Sequence, residues 1–421
     1  MDKSLNLDQF AALIGIDWAD RKHDICLFDR TTQQTEYDII IHNPNSLDEW
    51  AQALAKRFDY QPIAISLELK SGPLVYALLK YPFITLVPIA PRALAKYREA
   101  FTQSGAKDDP TDAFLCMDFL YRHGDKLKPI EPDTKHTRHI QQLVEHRRAL
   151  VADRVRITNR ITAALKLYYP QVLDWFEDKD TLVFCDFVER WPDLKSAKKA
   201  RKTTLEGFFY DHNSRYSEVI AQRINAIKSA IPLTSDDGVI LPNQQYVQLQ
   251  IRILRELIIG IKNYDQMIAA EFKKHKDYEL FSSFPGAGPT FAPRLLAALG
   301  SNRNRFRSSD ELARQIGVAP VMERSGNKTW VHWRYACPKF VRQTFVEWAG
   351  FSLRYSYWAK QYYDAQRAKG KGHNAVLRAL AFKWGMRLTR NAIMRCDKLG
   401  MMRLINSNRR ESMPIKTRCL L

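Results

Sequence analysis

No C-x-x-C pair occurs in this chain, and its six cysteines and ten histidines fall at no spacing that builds a zinc site. The thiols are therefore read as reduced and structural. No apolar run approaches the roughly 20 residues of a membrane span, and Met1–Phe10 lacks a signal-peptide core, so a cytoplasmic chain without a membrane partner is expected. Internal repeats and low-complexity tracts are absent too. Acidic residues are scarce in one region: residues 281–421 carry 26 Lys+Arg against 7 Asp+Glu, so the formal charge of +19 belongs to that third and the remainder is almost neutral. A one-sided cationic surface of this kind fits a polyanion, and nucleic acid is the obvious one.

What the chain does contain is enough apolar material to fold. With 45% hydrophobic and 26% charged residues over 421 positions, it is globular and long enough for two or three domains. Leu13–Trp18, Asp24–Phe28 and Tyr37–Ile41 read as successive strands, Ser46–Arg57 as a helix capped by its serine, and Ile63–Glu68 and Ile84–Ile89 as two further strands separated by a short helix, Pro73–Leu79. That order is the order of the ribonuclease H superfamily, and it sets residues 1–130 apart as an α/β domain. Thr134–Tyr169 and Gln245–His275 have helical, near-heptad apolar spacing; the second places Leu249, Ile253, Leu257, Ile261, Ile268 and Phe272 on one face. The two read as arms of an antiparallel helical hairpin within residues 131–280. Dimerisation and ordinary packing inside one subunit account for them equally well. Between them, about residues 170–243, lies an aromatic-rich helical insertion whose basic run, Lys195–Lys202, reads as a solvated face. A mainly helical domain is expected over 281–405, with a loose tail over 406–421.

Four carboxylates stand out. Asp17 follows a run that expects burial, Glu68 ends a strand, and Asp109 and Asp112 open a helix. Each has an ordinary reading. Asp109-Pro110-Thr111-Asp112 is a good helix start, with Asp109 as N-cap and Asp112 facing the dipole, and Glu68 could be solvated. Yet an unpaired buried acid at Asp17 would cost several kcal/mol, and a divalent ion removes that cost. Residues three apart share a helix face, so Asp109 and Asp112 could join Asp17 and Glu68 around Mg²⁺ or Mn²⁺, which prefer hard oxygen ligands.

In the basic third, Gly286 and Gly288 lie in a stretch that resembles a helix-hairpin-helix turn, where N–H groups can hold a phosphate, though a plain structural turn between helices has the same pattern; Arg303, Arg305 and Arg307 follow and favour phosphate contact. Glu323–Lys328 reads as an exposed loop in which Ser325 lies between Arg324 and Lys328. A serine there is an ordinary turn residue unless flanking cations activate it as a nucleophile. Beyond it, Trp330, Trp333, Arg334, Tyr335 and Arg342 mix aromatics with bases, a blend that can stack on nucleobases and neutralise phosphates. Arg378, Arg387, Arg390 and Arg395 extend the cationic face.

Taken together, Ile14-Gly15-Ile16-Asp17-Trp18-Ala19, Ser66-Leu67-Glu68, Lys107-Asp108-Asp109-Pro110-Thr111-Asp112-Ala113, Pro285-Gly286-x-Gly288, Arg305-Phe306-Arg307-Ser308, Leu312-Ala313 with Gly317-Val318-Ala319-Pro320, and Ser325-Gly326 resemble the DEDD transposases of insertion sequences. These are bridge-RNA-guided serine recombinases that include the Piv-type DNA invertases. The chain departs from the pattern in Leu69-Lys70 after Glu68, where small residues are usual, and in its long middle. The resemblance implies a RuvC-like metal site on Asp17, Glu68, Asp109 and Asp112, a C-terminal transposase domain with Ser325 as the nucleophile that joins DNA, a homo-oligomer (dimer or tetramer), and a noncoding guide RNA that pairs with donor and target DNA. Gly286, Gly288, Arg305, Arg307, Arg324, Lys328, Arg334 and Arg342 are the expected nucleic-acid contacts. Two other readings stand beside it: a RuvC-like nuclease or Holliday-junction resolvase using water on the metal, and a binding protein without activity.

Overall fold

The computed structural model describes residues 5–101, 109–214, 216–302, 305–306 and 308–388, with Asp109 and Leu388 described by their backbone alone. Residues up to Pro132 form one compact unit and those from Asp133 form another.

The first unit is built on a five-stranded sheet. Strands β1 (Ala12–Trp18), β2 (Lys22–Asp29) and β3 (Thr35–Ile41) make an antiparallel meander. Helix α1 (Pro44–Arg57) then carries the chain to β4 (Ile63–Leu67), and α2 (Pro73–Leu78) carries it on to β5 (Ile84–Pro88). The sheet order is β3-β2-β1-β4-β5, with β1, β4 and β5 parallel. Every expected strand and helix forms, with ends displaced by a residue or two. Glu68 lies just past β4 rather than in it, and α1 begins at Pro44 because Asn43, not Ser46, is its cap: Asn43 Oδ1 accepts the Ser46 amide.

The period-two pattern of the strands sorts their side chains onto two faces. Ala12, Ile14, Ile16, Ile63, Ile65 and Leu67 pack with α1 and α2. Leu13, Cys26, Ala64 and Val87 face α4 (Asp109–His123), which follows α3 (Pro91–Glu99). Gly15 lies under α4 with no space for a side chain, since a Cβ there would overlap the Ala113 carbonyl oxygen and the Met117 amide. Helix therefore lies directly on strand.

The second unit opens with α5 (Lys135–Tyr168), flanked by Thr134 and Tyr169. Five short helices follow: α6 (Val172–Trp175), α7 (Leu182–Arg190), α8 (Leu194–Lys199), α9 (Lys202–Asp211) and α10 (Ser217–Ser229). Their aromatics, Trp175, Phe184, Phe187, Phe208 and Phe209 among them, form a core closed by one end of each arm. The basic residues of Lys195–Lys202 are exposed, as expected of a solvated face.

The return arm α11 (Asp237–Lys273) runs antiparallel to α5, with His136 beside Glu271 and Arg147 paired to Asp265. Two expectations for it need correction. It starts well before Gln245, capped by Asp236 and passing through Pro242. Its first half also buries Val247, Ile251 and Leu254 instead of Leu249 and Ile253, which are 53% and 38% exposed. This stretch carries two apolar stripes, and the aromatic core beneath selects the inner one.

Helices α12 (Tyr278–Ser282), α13 (Gly288–Leu299), α14 (Ser309–Gln315), α15 (Lys339–Ser352), α16 (Tyr357–Ala368) and α17 (His373–Leu388), with the ribbon β6 (Val321–Ser325) and β7 (Lys328–His332), complete the unit. The other ends of the arms share their core: Ile140, Val144, Ile268 and Phe272 pack with Phe284, Leu296, Trp348 and Trp384. Among the described residues no helix is long and apolar enough to cross a membrane. Arg390, Arg395 and the tail over 406–421 lie outside the described residues.

Gly15→Ala tests the contact of α4 with β1. Overpacking so tight should cost about 3 kcal/mol and lower the thermal midpoint followed by circular dichroism. An unchanged midpoint would mean that the helix is free to lift.

Candidate active site

Three of the four expected acids reach one edge of the α4-covered face. Strand parity puts Asp17 on the side of Leu13 and Gly15, and Glu68 continues the side of Ala64 and Ser66. Asp112 is buried in the first turn of α4. Cys116, one turn further on, registers all three. Burial first, and then the negative charges of Glu68, Asp17 and Asp112, push its thiol well above its ordinary range, while Arg98 opposes them. Ser66 ties the sheet to the helix at the same level, with Oγ 2.7 Å from the Cys116 carbonyl oxygen and 3.1 Å from that of Ile14. Asp109 is the first residue of α4 rather than a cap before it, and its side chain lies outside the described residues.

Two polar neighbours escaped sequence reasoning. Arg98, in the last turn of α3, brings Nη2 to 2.5 Å from Asp112 Oδ1; both side chains are largely buried. The contact is an ion pair between two shielded groups. Nothing in the local sequence marks this arginine among the others. Asp24, also buried, is the direct register partner of Asp17 across the β1–β2 hairpin and forms a 3.5 Å ion pair with Lys22. Counting outward from Asp20-Arg21 finds it, since Trp18 pairs with His23 and Asp17 with Asp24.

The donor set suits a hard divalent cation in kind: carboxylate oxygens, one of them buried at Asp112. Among the described residues, however, no three acids, histidines or cysteines converge closely enough to hold an ion.

Ser325 lies not in a loop but at the end of β6. Gly326 (φ 55°) and Asn327 form a two-residue hairpin turn, with glycine at the first central position as such turns require. Ser325 pairs in register with Lys328, and Arg324 with Thr329. Both faces of this ribbon are exposed, including Met322 at 61% and Val331 at 67%.

The remaining expected contacts divide. Gly288 is open on its Cβ side, whereas Gly286 is packed against Phe351 and Tyr355. Arg305 Nη2 lies 2.9 Å from the buried carboxylate of Asp133, which also accepts the amides of Ser301 and Asn302. Arg334 Nε donates to the Ala319 carbonyl, and Arg342 donates to that of Arg334 while covering the Trp333 ring, which Arg378 also approaches. Arg387 covers Trp358. Arg324 and Lys328 are exposed. Arg303 and Arg307 lie outside the described residues.

Comparison with known proteins adds two matches to family models. Residues 14–170 match a DEDD-type transposase family, and residues 278–364 match the transposase family named for IS116, IS110 and IS902. The chain is 28% identical over 385 residues to a Streptomyces coelicolor protein named "Mini-circle putative transposase for IS117", covering 89% of this chain and 92% of that one. It is 25% identical over 378 residues to the "Insertion element IS900 uncharacterized 42 kDa protein" of Mycobacterium paratuberculosis, covering 87% and 92%. The "Insertion element IS116 uncharacterized 44.8 kDa protein" of Streptomyces clavuligerus matches at 24% over 326 residues, covering 76% and 79%.

Arg305→Ala separates phosphate binding from structure. Burial raises the Asp133 carboxyl, but the Arg305 charge and the Ser301 amide outweigh it and hold it below the usual range. Its stabilisation is therefore complete above the unfolded carboxylate pKa of about 3.9 and is lost as pH falls through the lower folded value. Removing Arg305 should cost about 2 kcal/mol at neutral pH, read as a fall in thermal midpoint. No fall would free Arg305 for nucleic acid.

Proposed function

Because the chain belongs to the IS110/IS116 family of transposases, enzymes that cleave and join DNA, we propose that it recombines DNA through a covalent phosphoserine link at Ser325. The observation that carries this reading is the hairpin. It projects one hydroxyl beside its turn, with the Lys328 ammonium opposite it in register and Arg324 adjacent. Flanking cations can stabilise the developing alkoxide and hold the phosphate under attack. Ser325 Oγ gives up its proton and bonds to phosphorus as one phosphodiester P–O bond breaks, and the leaving DNA oxygen takes up a proton to become the hydroxyl that attacks in the reverse step. Because one P–O bond replaces another, the energy needed for rejoining is conserved.

Membership of a DEDD-type family implies a divalent metal. Asp17, Glu68, Asp109 and Asp112 are the residues that would hold it, with Mg²⁺ or Mn²⁺ as the ion. When bound, it would supply charge neutralisation at the scissile phosphate. Support for this reading comes from Asp17 on β1, Glu68 just past β4 and Asp112 on a helix packed directly on Gly15.

The same reading includes a noncoding guide RNA that pairs with donor and target DNA, and a homo-oligomer. The oligomer is supported by the exposed stripe of Leu249 and Ile253 on α11, apolar surface of the kind that marks interfaces.

Incubation with Mg²⁺ and supercoiled substrate should yield a protein–DNA adduct that survives denaturation. Ser325→Ala should abolish the adduct, and Asp112→Asn should reduce it on the order of a hundredfold or more. Equal adduct from Ser325→Ala would exclude this serine, and free cleaved ends without adduct would favour water as the nucleophile.

A further inference from the structure

The Arg98–Asp112 ion pair lies inside the acid cluster, and the proposed function gives it no role. Asp112 needs a counter-charge, because a buried carboxylate without one is strongly disfavoured. Arg98 supplies it from α3, with Nη2 2.5 Å from Oδ1, the guanidinium largely shielded and the carboxylate almost wholly so. The influence of Arg98 extends past its partner, since the Cys116 thiol responds to it together with Glu68, Asp17 and Asp112.

A divalent ion and this guanidinium compete for the same oxygen. An ion ligated by Asp112 would lie about 2 Å from a carboxylate oxygen. With Nη2 at its present distance, three positive charges would crowd around one carboxylate in a poorly hydrated site. Repulsion at such separations is steep because the interior screens weakly. The contact is also one that can be given up, because the arginine side chain is long and lies in the last turn of α3. The Asp133–Arg305 pair provides the contrast. There the carboxylate also accepts the backbone amides of Ser301 and Asn302.

We propose that Arg98 is a displaceable counter-ion of the acid site: it neutralises Asp112 until a divalent cation takes its place, and it thereby sets how tightly the site binds that cation. Resting on the metal reading above, this assigns Arg98 as a positioning residue that holds Asp112 ready and limits ion affinity.

The probe is Mn²⁺ alone, added to chelator-treated full-length protein, with free ion read by electron paramagnetic resonance and folding by circular dichroism. Arg98→Gln should bind Mn²⁺ more tightly, on the order of tenfold. It should melt earlier than wild type without Mn²⁺ and gain more from Mn²⁺ addition. Arg98→Lys, which keeps the charge, should stay close to wild type. In an Asp112→Asn background, Arg98→Gln should no longer change affinity, because the competition has lost its object. Should the glutamine variant fail to fold, Arg98→Met repeats the comparison with a neutral chain of similar reach. Wild type binding Mn²⁺ and a folded neutral variant binding it no more tightly overturns the inference alone. No Mn²⁺ binding by either protein overturns the metal reading and this inference with it.

Discussion

The backbone of α4 rests on β1 at Gly15 with no side chain between them, and the acid site depends on that contact. A strand fixes Asp17 to its face by the pleat, but nothing in the strand can bring a helical carboxylate to its side. Only a helix lying at backbone distance can, and only glycine permits that distance. Ser66 secures the approach from the neighbouring strand through the Cys116 carbonyl. Asp112 then reaches a buried position one turn from Cys116, where the fields of Asp17 and Glu68 are already felt. Such a gathering of like charge needs cations, and Arg98 is one of them. On the proposed reading, a divalent ion would suit this edge of the sheet by charge and by donor chemistry.

The basic third distributes its charge differently. Much of its arginine works inside the protein. Arg294 pairs with Glu347 and covers Phe291, Arg342 and Arg378 flank Trp333, and Arg387 lies over Trp358. Guanidinium groups stack well on aromatics while remaining charged, so the surplus serves packing and the surface potential together. That leaves the ribbon distinct: Arg324 and Lys328 project from an element that has little core of its own. A two-stranded ribbon is marginal in isolation, and Met322 and Val331 stand exposed on it.

Much of this was legible beforehand because the strongest signals are local. Continuous apolar runs in Ala12–Trp18 and Ile63–Leu67, turn residues at their ends, and the heptad spacing of residues 135–168 depend on nothing distant, and each element formed where its pattern lies. Errors arose wherever two local solutions competed. Asn43 and Ser46 can both cap α1, and Pro44 at the first helical position decides for Asn43. Leu249 and Val247 belong to rival stripes of one helix, and only the aromatics of the insertion choose between them. Ser325-Gly326 reads as loop from composition, yet its register with Lys328 makes it a hairpin. Arg98 was invisible for a different reason. Its meaning lies wholly in a partner on another helix, and one arginine in a helical turn looks like any other.

On the proposed reading, oxygens from β1, from the residue after β4 and from the start of α4 gather around a divalent cation. Anomalous diffraction from crystals of the full chain soaked in Mn²⁺ tests it most directly. A strong peak is expected within coordination distance of the Asp17, Glu68 and Asp112 carboxylates, with Arg98 turned away from Asp112. A map with no peak there, and Arg98 still against Asp112 at saturating Mn²⁺, would contradict it.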